Sequence, residues 1–399
     1  MLTETQLDRY ADVLLWGLKT ARSQSFKQND VVVIRYDKPA VRLAEIVYGK
    51  LLDLGLNPVQ RLNLTTTMEL DFYKLSNHKQ LIFKTPGDEI LCKRLNGSIF
   101  LHSPESLTHL SAIDPKRIGK VAVARKYLRD ILDKREQEGA FGWTLGMFPT
   151  EEQARHAGLS LKDYTNQIIK ACFLNRTAPV SHWQTIYRNV QSIKKWLNSL
   201  NVSFYHIESE NIDLEITAGE KRKWIGISGH NIPSFEIFTS PDGRGTKGKY
   251  FANQPSFRSG NRVEGVRLEF QKGAVIKVGA QQGEAFVKKQ LTMDKGANRL
   301  GEFSLTDKRF SSINTFMANT LFDENYGGKY GNCHVALGSS YADTYSGNPK
   351  ELTKKASQRL GFNDSALHWD LINTEDKRVT AILRDGKRVA IYEKGMFKY

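Results

Sequence analysis

The chain has 399 residues, of which 40% are hydrophobic and 25% are charged, and its formal net charge is +15. This length exceeds a single ordinary domain of about 100–150 residues, so two domains are expected. The composition is ordinary for a soluble globular protein, and no apolar run approaches the ~18 residues of a membrane-spanning helix, which excludes a membrane protein.

The first sixty residues predict a helix, a strand and a second helix. Thr3 and Gln6 match a capping box at the start of the first helix. Its apolar positions, at helical spacing, are Leu7, Tyr10, Ala11, Leu14 and Leu18. Val31 to Ile34 is a β-branched run typical of a strand buried on both faces. The second helix ends before Gly55, a suitable C-cap, and its apolar positions are Ala44, Val47, Tyr48 and Leu51.

The rest of the first half continues the alternation of helix and strand. Strand-like runs lie near 80–83, 98–102 and 141–148. Helical periodicity covers 121–138 and 159–200, with breaks at prolines. Residues 1–200 are therefore predicted to form an α/β domain of layered sheet and helices.

Beyond residue 200 the sequence changes to short strands separated by turns rich in Gly, Asn and Asp. The predicted strands are 202–207, 212–216, 224–227, 266–270, 274–278, 379–383 and 388–392. Asp385-Gly386 lies between the last two and is a hairpin signal, because both residues tolerate positive φ. Residues 201–399 are therefore predicted to form an α+β domain with much antiparallel sheet.

The cysteines and the N-terminus bear on the cellular compartment. Cys92, Cys172 and Cys333 are far apart and form no Cys-x-x-Cys pair, so reduced thiols are expected instead of disulfides or a zinc ribbon. The first residues have neither the positive start nor the apolar stretch of a signal peptide. We expect a cytoplasmic protein.

The basic charge has two interpretations. It is compatible with a nucleic-acid-binding protein, and the aromatic and basic segment 247–251 motivates that alternative. The Lys and Arg residues are dispersed, however, and the densest run is only Lys221-Arg222-Lys223. This favours a solvated basic exterior, so neither a nucleic-acid partner nor a membrane is expected.

Several potential metal ligands lie in the second half of the chain. His368 and Asp370 flank Trp369, and alternation along a strand would place both on one face. Glu236, Glu302 and His334 each occur among apolar or small neighbours, where a buried carboxylate must be paired, hydrogen-bonded or metal-bound. Each alone could be a satisfied core residue, but a set rich in carboxylates suits two divalent ions better than one structural zinc.

At these residues the chain resembles the thermophilic-type metallo-aminopeptidases, the family of aminopeptidase T and aminopeptidase II. The motifs that carry the resemblance are 229–236 (GHNIPSFE), 298–302 (NRLGE), 321–325 (LFDEN), 333–338 (CHVALG) and 368–370 (HWD). A weaker likeness, for instance at 143–150, extends it over nearly the whole chain. The sequence departs from the family pattern at His230, where Arg is expected, and at 326–332, where the loop is longer than expected.

The resemblance implies a metallo-aminopeptidase with two divalent ions per chain. The implied metal ligands are Glu236, Glu302, Glu324, His334, His368 and Asp370. It also implies Tyr341 as the catalytic tyrosine and an N-terminal domain that forms a homodimer. Glu302 is the candidate for the bridging carboxylate and for proton transfer. The expected ions are Zn, Co or Mn, with Mg compatible, and the expected substrates are peptides with a free N-terminus. The alternative is another two-metal amide hydrolase, such as a dipeptidase.

Overall fold

The computed structural model describes residues 1–399, except the side chain of Lys350. The helices are α1 (Glu4–Thr20), α2 (Val41–Asp53), α3 (Thr66–Leu75), α4 (His78–Leu81), α5 (Asp88–Arg94), α6 (Pro115–Gln137), α7 (Glu151–Ala157), α8 (Leu161–Ala171), α9 (Pro179–Ser199), α10 (Glu284–Gln290), α11 (Thr320–Asp323) and α12 (Lys354–Arg359). The strands are β1 (Val31–Tyr36), β2 (Asn57–Leu62), β3 (Gly97–His102), β4 (Gly142–Met147), β5 (Val202–Ser209), β6 (Asp213–Thr217), β7 (Ile225–Gly226), β8 (Asn231–Ile232), β9 (Glu236–Thr239), β10 (Lys247–Ala252), β11 (Ser256–Arg258), β12 (Asn261–Val263), β13 (Val266–Gln271), β14 (Ala274–Gly279), β15 (Leu300–Thr306), β16 (Asn332–Gly338), β17 (His368–Asn373), β18 (Lys377–Leu383), β19 (Arg388–Glu393) and β20 (Met396–Phe397).

The chain divides into two compact units. The first contains Met1–Tyr187 and Ile227–Ser234, and the second contains Arg188–Gly226 and Phe235–Tyr399. The short segment Ile227–Ser234 therefore belongs to the first unit, although the residues on both sides of it belong to the second. Within the described part of the chain, every helix is too short or too polar to span a bilayer.

The first unit is built on a parallel sheet with the strand order β2-β1-β3-β4-β8. The predicted capping box of α1 is present, because the Thr3 hydroxyl accepts from Gln6 N–H and the Gln6 side chain accepts from Thr3 N–H. The predicted apolar face of α1 is buried, and Gly55 follows α2 with φ of 70°. The expected α/β layering is confirmed for this unit.

Two details of the predicted first unit are wrong. Residues 80–83 do not form a strand, because Asn77 and Gln80 make a capping box that starts the short helix α4. Tyr48 lies on α2 but its side chain is exposed, so it is not part of the buried face. The edge strand β2 was not predicted, since its side chains are mostly exposed and it contains Pro58, a residue usually confined to sheet edges.

The second unit contains two large antiparallel sheets. One has eight strands in the order β14-β13-β10-β6-β5-β18-β19-β20, and the other has five in the order β17-β16-β15-β9-β7. The predicted hairpin is present between β18 and β19, and Gly386 has φ of 87°. The three cysteines are free thiols, as expected. This five-stranded sheet carries five of the six candidate ligands.

Candidate metal centre

Four neighbouring strands bring five of the predicted ligands to one face of the five-stranded sheet. Glu236 begins β9, Glu302 lies on β15, and His334 lies on β16. His368 and Asp370 lie two residues apart on β17, as their alternation predicted. The register places Glu236 opposite Thr306, His334 opposite Ser304 and Asp370 opposite Ala336. Residues directly opposite each other on neighbouring strands point to the same face of the sheet, and so does every second residue along one strand. The five side chains therefore share a face.

A glycine fixes the path of β15 just before Glu302. The pairing of β15 with β16 shifts register between Leu300 and Glu302. A Cβ atom at Gly301 would lie 2.2 Å from the carbonyl oxygen of Ser339 and 2.4 Å from that of Gly338. Any larger side chain would therefore push these two backbones apart and displace the Glu302 carboxylate.

The first group of ligand atoms comprises Glu236, Glu302 and His334, all of which are buried. His334 Nε2 lies 3.2 Å from Glu236 Oε2 and 3.3 Å from Glu302 Oε1. One nitrogen and two carboxylate oxygens thus face a common point, with ligand atoms within 4.8 Å of one another. One imidazole nitrogen and two carboxylate oxygens are a donor set suited to a divalent cation.

The second group comprises Glu302, His368 and Asp370. His368 Nε2 lies 3.5 Å from Glu302 Oε2 and 3.4 Å from Asp370 Oδ1. Glu302 therefore belongs to both groups, and its two oxygens face different imidazoles. The side chains of His368 and Asp370 are 19% and 14% exposed, against 4% for Glu302, so the centre is open to solvent on their side.

Glu324 and Tyr341, the two remaining predicted site residues, lie outside the two ligand groups. Glu324 is the buried C-cap residue of α11, and Glu236 and Asp370 are the carboxylates that act on it most strongly. Among the described side chains, the two ligand groups do not include Glu324. The ring centroid of Tyr341 lies 4.8 Å from that of His368, in an edge-on arrangement. Burial and the carboxylates, Glu302 first, raise the pKa of Tyr341 well above its usual value, so the phenol keeps its proton.

The crowded carboxylates make the centre suited to cations. Burial, aided by Glu302, raises the pKa of Glu236, and burial with Glu236 raises the pKa of Glu324 well above the usual value. Burial opposes protonation of His368, but Asp370 and Glu302 outweigh it and raise its pKa to about 10. Protons thus partly neutralise the metal-free cluster. Divalent ions would displace those protons and balance the four carboxylates, so the residues present fit a metal centre.

Three further contacts, which the sequence analysis missed, orient the ligands. His368 Nδ1 lies 3.0 Å from the carbonyl oxygen of Ser339, which directs Nε2 toward the carboxylates. The Ser304 hydroxyl donates to Glu236 Oε2 at 3.0 Å, and Arg258 Nη1 donates to the carbonyl oxygen of His368 at 2.7 Å. Alternation along β15 could have indicated Ser304, which lies two residues after Glu302. No local pattern indicates Arg258.

Comparisons with known proteins show which family the chain resembles. The family model described as thermophilic metalloprotease (M29) matches residues 3–397. Aminopeptidase AmpS of Bacillus subtilis is 31% identical over 79% of this chain and 80% of that protein, and aminopeptidase T of Thermus aquaticus is 29% identical over 72% of each. The solved structure of wild-type AmpT from Thermus thermophilus covers 98% of this chain and 99% of its own, with a TM-score of 0.78 and 20% identity. The structural match confirms the predicted fold class.

Proposed function

Since the chain belongs to the thermophilic metalloprotease family (M29) and is a metal-dependent aminopeptidase, we propose that it releases the N-terminal residue of peptides with the help of two divalent ions. The observation that carries the two-ion proposal is Glu302, whose carboxylate oxygens face His334 on one side and His368 on the other. A carboxylate in this position can serve two ions at once.

The proposed ligands are those of the sequence-based prediction: Glu236, Glu302, Glu324, His334, His368 and Asp370. Glu236 and His334 would complete the buried half of the centre, and His368 and Asp370 the half open to solvent. Ions held there would supply hydroxide at neutral pH, because a metal ion can lower the pKa of its bound water from 15.7 toward about 7. Zn, Co or Mn suits this mixture of carboxylate and imidazole, and Mg is compatible with it.

The remaining chemistry is assigned to side chains of the chain itself. Glu302 would take up the proton of the attacking water and pass it to the departing amine. Tyr341, protonated and next to His368, would donate a hydrogen bond to the oxyanion that develops on the scissile carbonyl. Asp370, whose side chain is more exposed than those of Glu236 and Glu302, would bind the free α-amine of the substrate. That anchor would restrict cleavage to the first peptide bond.

Paired substrates test this proposal. A peptide with a free α-amine and its N-acetylated form should differ in kcat/KM by at least a hundredfold, because acetylation removes the charge that the carboxylates bind. Activity should disappear on chelation and return when ions are added back one kind at a time. Equal hydrolysis of the two peptides would contradict an aminopeptidase and favour the alternative amide hydrolase, whereas full activity of metal-stripped protein would contradict both.

We also propose that residues 1–200 serve dimerisation and access control, while residues 201–399 carry catalysis. Support comes from apolar side chains of the first unit that are more than half exposed, among them Leu62, Leu64, Met68, Leu75, Phe83 and Ile90. Such side chains often mark an interface between proteins. Light scattering after size exclusion should report a dimer, which Leu75→Glu should weaken; a monomeric wild type would refute the dimer. The cytoplasmic location stays a prediction.

A further inference from the structure

Asn325 connects two segments that carry proposed metal ligands. It follows Glu324 directly at the end of α11 and is completely buried. Its Oδ1 atom accepts from the backbone N–H of Phe235 at 2.5 Å, across 90 positions of sequence. Its Nδ2 group donates to the carbonyl oxygen of Leu321 at 2.9 Å and approaches Glu324 Oε1 at 3.4 Å. Phe235 directly precedes Glu236.

The segment of Glu324 needs such a connection because it does not lie on a strand. Glu236 is fixed by the pairing of β9 with β15, whereas Glu324 caps a helix of only four residues. The carbonyl oxygen of Glu324 accepts from Thr306 Oγ1 at 3.1 Å and from Asn332 Nδ2 at 2.7 Å. These two bonds hold the backbone of Glu324, while Asn325 links that backbone to the segment of Glu236.

The link matters because an ion held by both Glu236 and Glu324 would require their carboxylates at a fixed spacing. Both side chains are buried, and they lie on segments that are far apart in the sequence, so contacts between those segments must set that spacing. A buried amide that bonds both segments, and contacts one of the carboxylates, provides that restraint without adding charge.

We propose that Asn325 is a positioning residue that keeps Glu236 and Glu324 at the spacing required to bind one of the two divalent ions. This inference rests on the proposed two-ion function. The affected ion is the one held by the group of Glu236, Glu302 and His334. The group of Glu302, His368 and Asp370 has no hydrogen bond to Asn325 among the described contacts and should keep its ion.

The inference makes an asymmetric prediction about metal binding. Loss of a group that orients a metal ligand usually costs 10–100-fold in metal affinity. Asn325→Ala should therefore weaken one of two binding events by 10–100-fold and leave the other within about threefold. A residue that only supports the fold would affect both events or neither.

The test is a calorimetric titration of metal-free protein with Zn²⁺, together with the visible absorption of the Co²⁺ form. Asp370→Asn identifies the binding event of the group of Glu302, His368 and Asp370, because Asp370 belongs to that group alone. Asn373→Ala is the matched control, since Asn373 is equally buried and also bridges two backbone atoms, the carbonyl oxygen of Phe251 and the N–H of Glu375. Asn325→Ser replaces the alanine variant if circular dichroism shows that the latter is unfolded.

The outcomes separate the inference from the function on which it rests. Asp370→Asn should keep one of the two metal-binding events. The positioning role is supported if Asn325→Ala weakens that same event and leaves the other unchanged. Unchanged binding, equal weakening of both events, or the same selective loss in Asn373→Ala would overturn it. If the wild-type protein binds fewer than two ions, the two-ion function fails first, whatever the variants do.

Discussion

The role of Tyr341 can be tested with the removal of a single oxygen atom. In Tyr341→Phe the ring would keep its edge-on contacts with His368, at 4.8 Å between centroids, and with Phe238, at 5.6 Å. The backbone N–H of Tyr341 would still donate to Ser240 Oγ at 2.9 Å. Packing and the local backbone should therefore be preserved, and only the hydrogen bond to the developing oxyanion is lost.

The expected size of the effect follows from that single bond. Removing one donor to an oxyanion costs about 2.7–4 kcal/mol, which corresponds to a fall in kcat of roughly 10²–10³-fold. Because the substrate carbonyl is uncharged before attack, KM should change little. The assay is steady-state kinetics on a peptide with a free amine, alongside metal content and melting temperature.

A second tyrosine in the same segment provides the control. Tyr345 is buried and packs edge-on against Phe362, at 6.2 Å between centroids. Tyr345→Phe should leave kcat within about threefold of the wild type, because its hydroxyl is not assigned to the reaction. The reasoning is refuted if Tyr341→Phe keeps full kcat, or if its kcat falls only in proportion to lost metal.

Three other predictions concern the proposed bridging carboxylate, a buried lysine and a glycine. Glu302→Gln should weaken the binding of both ions, whereas Asp370→Asn should weaken the binding of only one, because Glu302 belongs to both ligand groups and Asp370 to one. If metal analysis finds the same number of bound ions in the two variants, Glu302 is not a shared ligand. Burial lowers the pKa of Lys377 from 10.5 to about 8. Below pH 8 the charged lysine therefore lowers the free energy of unfolding by about 3 kcal/mol, and this cost disappears as the pH rises to 10.5. Lys377→Met should therefore melt at a higher temperature than wild type at pH 7, by a margin that narrows near pH 10.5; a constant margin would contradict the assignment. Gly301→Ala should lower kcat/KM at least tenfold, because the Cβ of the new alanine would lie 2.2 Å from the carbonyl oxygen of Ser339 and displace the backbone before Glu302. A fully active variant would show that this displacement does not disturb Glu302.

Local sequence patterns predicted features that depend on neighbouring residues. The capping box of α1 and the Asp385-Gly386 hairpin are set by bonds and torsion angles within a few residues, and both are present. The pairing of His368 with Asp370 on one face follows from strand alternation. Residues 80–83 were assigned wrongly because a short apolar run is compatible with a strand or a helix, and the cap formed by Asn77 decides between them.

The sequence by itself determined the types of candidate ligand and, through its motifs, indicated the family. Only the tertiary structure decided their spacing, because Glu236, Glu302 and His334 lie on different strands and meet through sheet register. The same is true of Asn325, whose bond to Phe235 spans 90 positions and leaves no local pattern. Side-chain chemistry is written residue by residue, whereas a distance between remote atoms exists only after the backbone hydrogen bonds of the sheet have fixed which strands are neighbours.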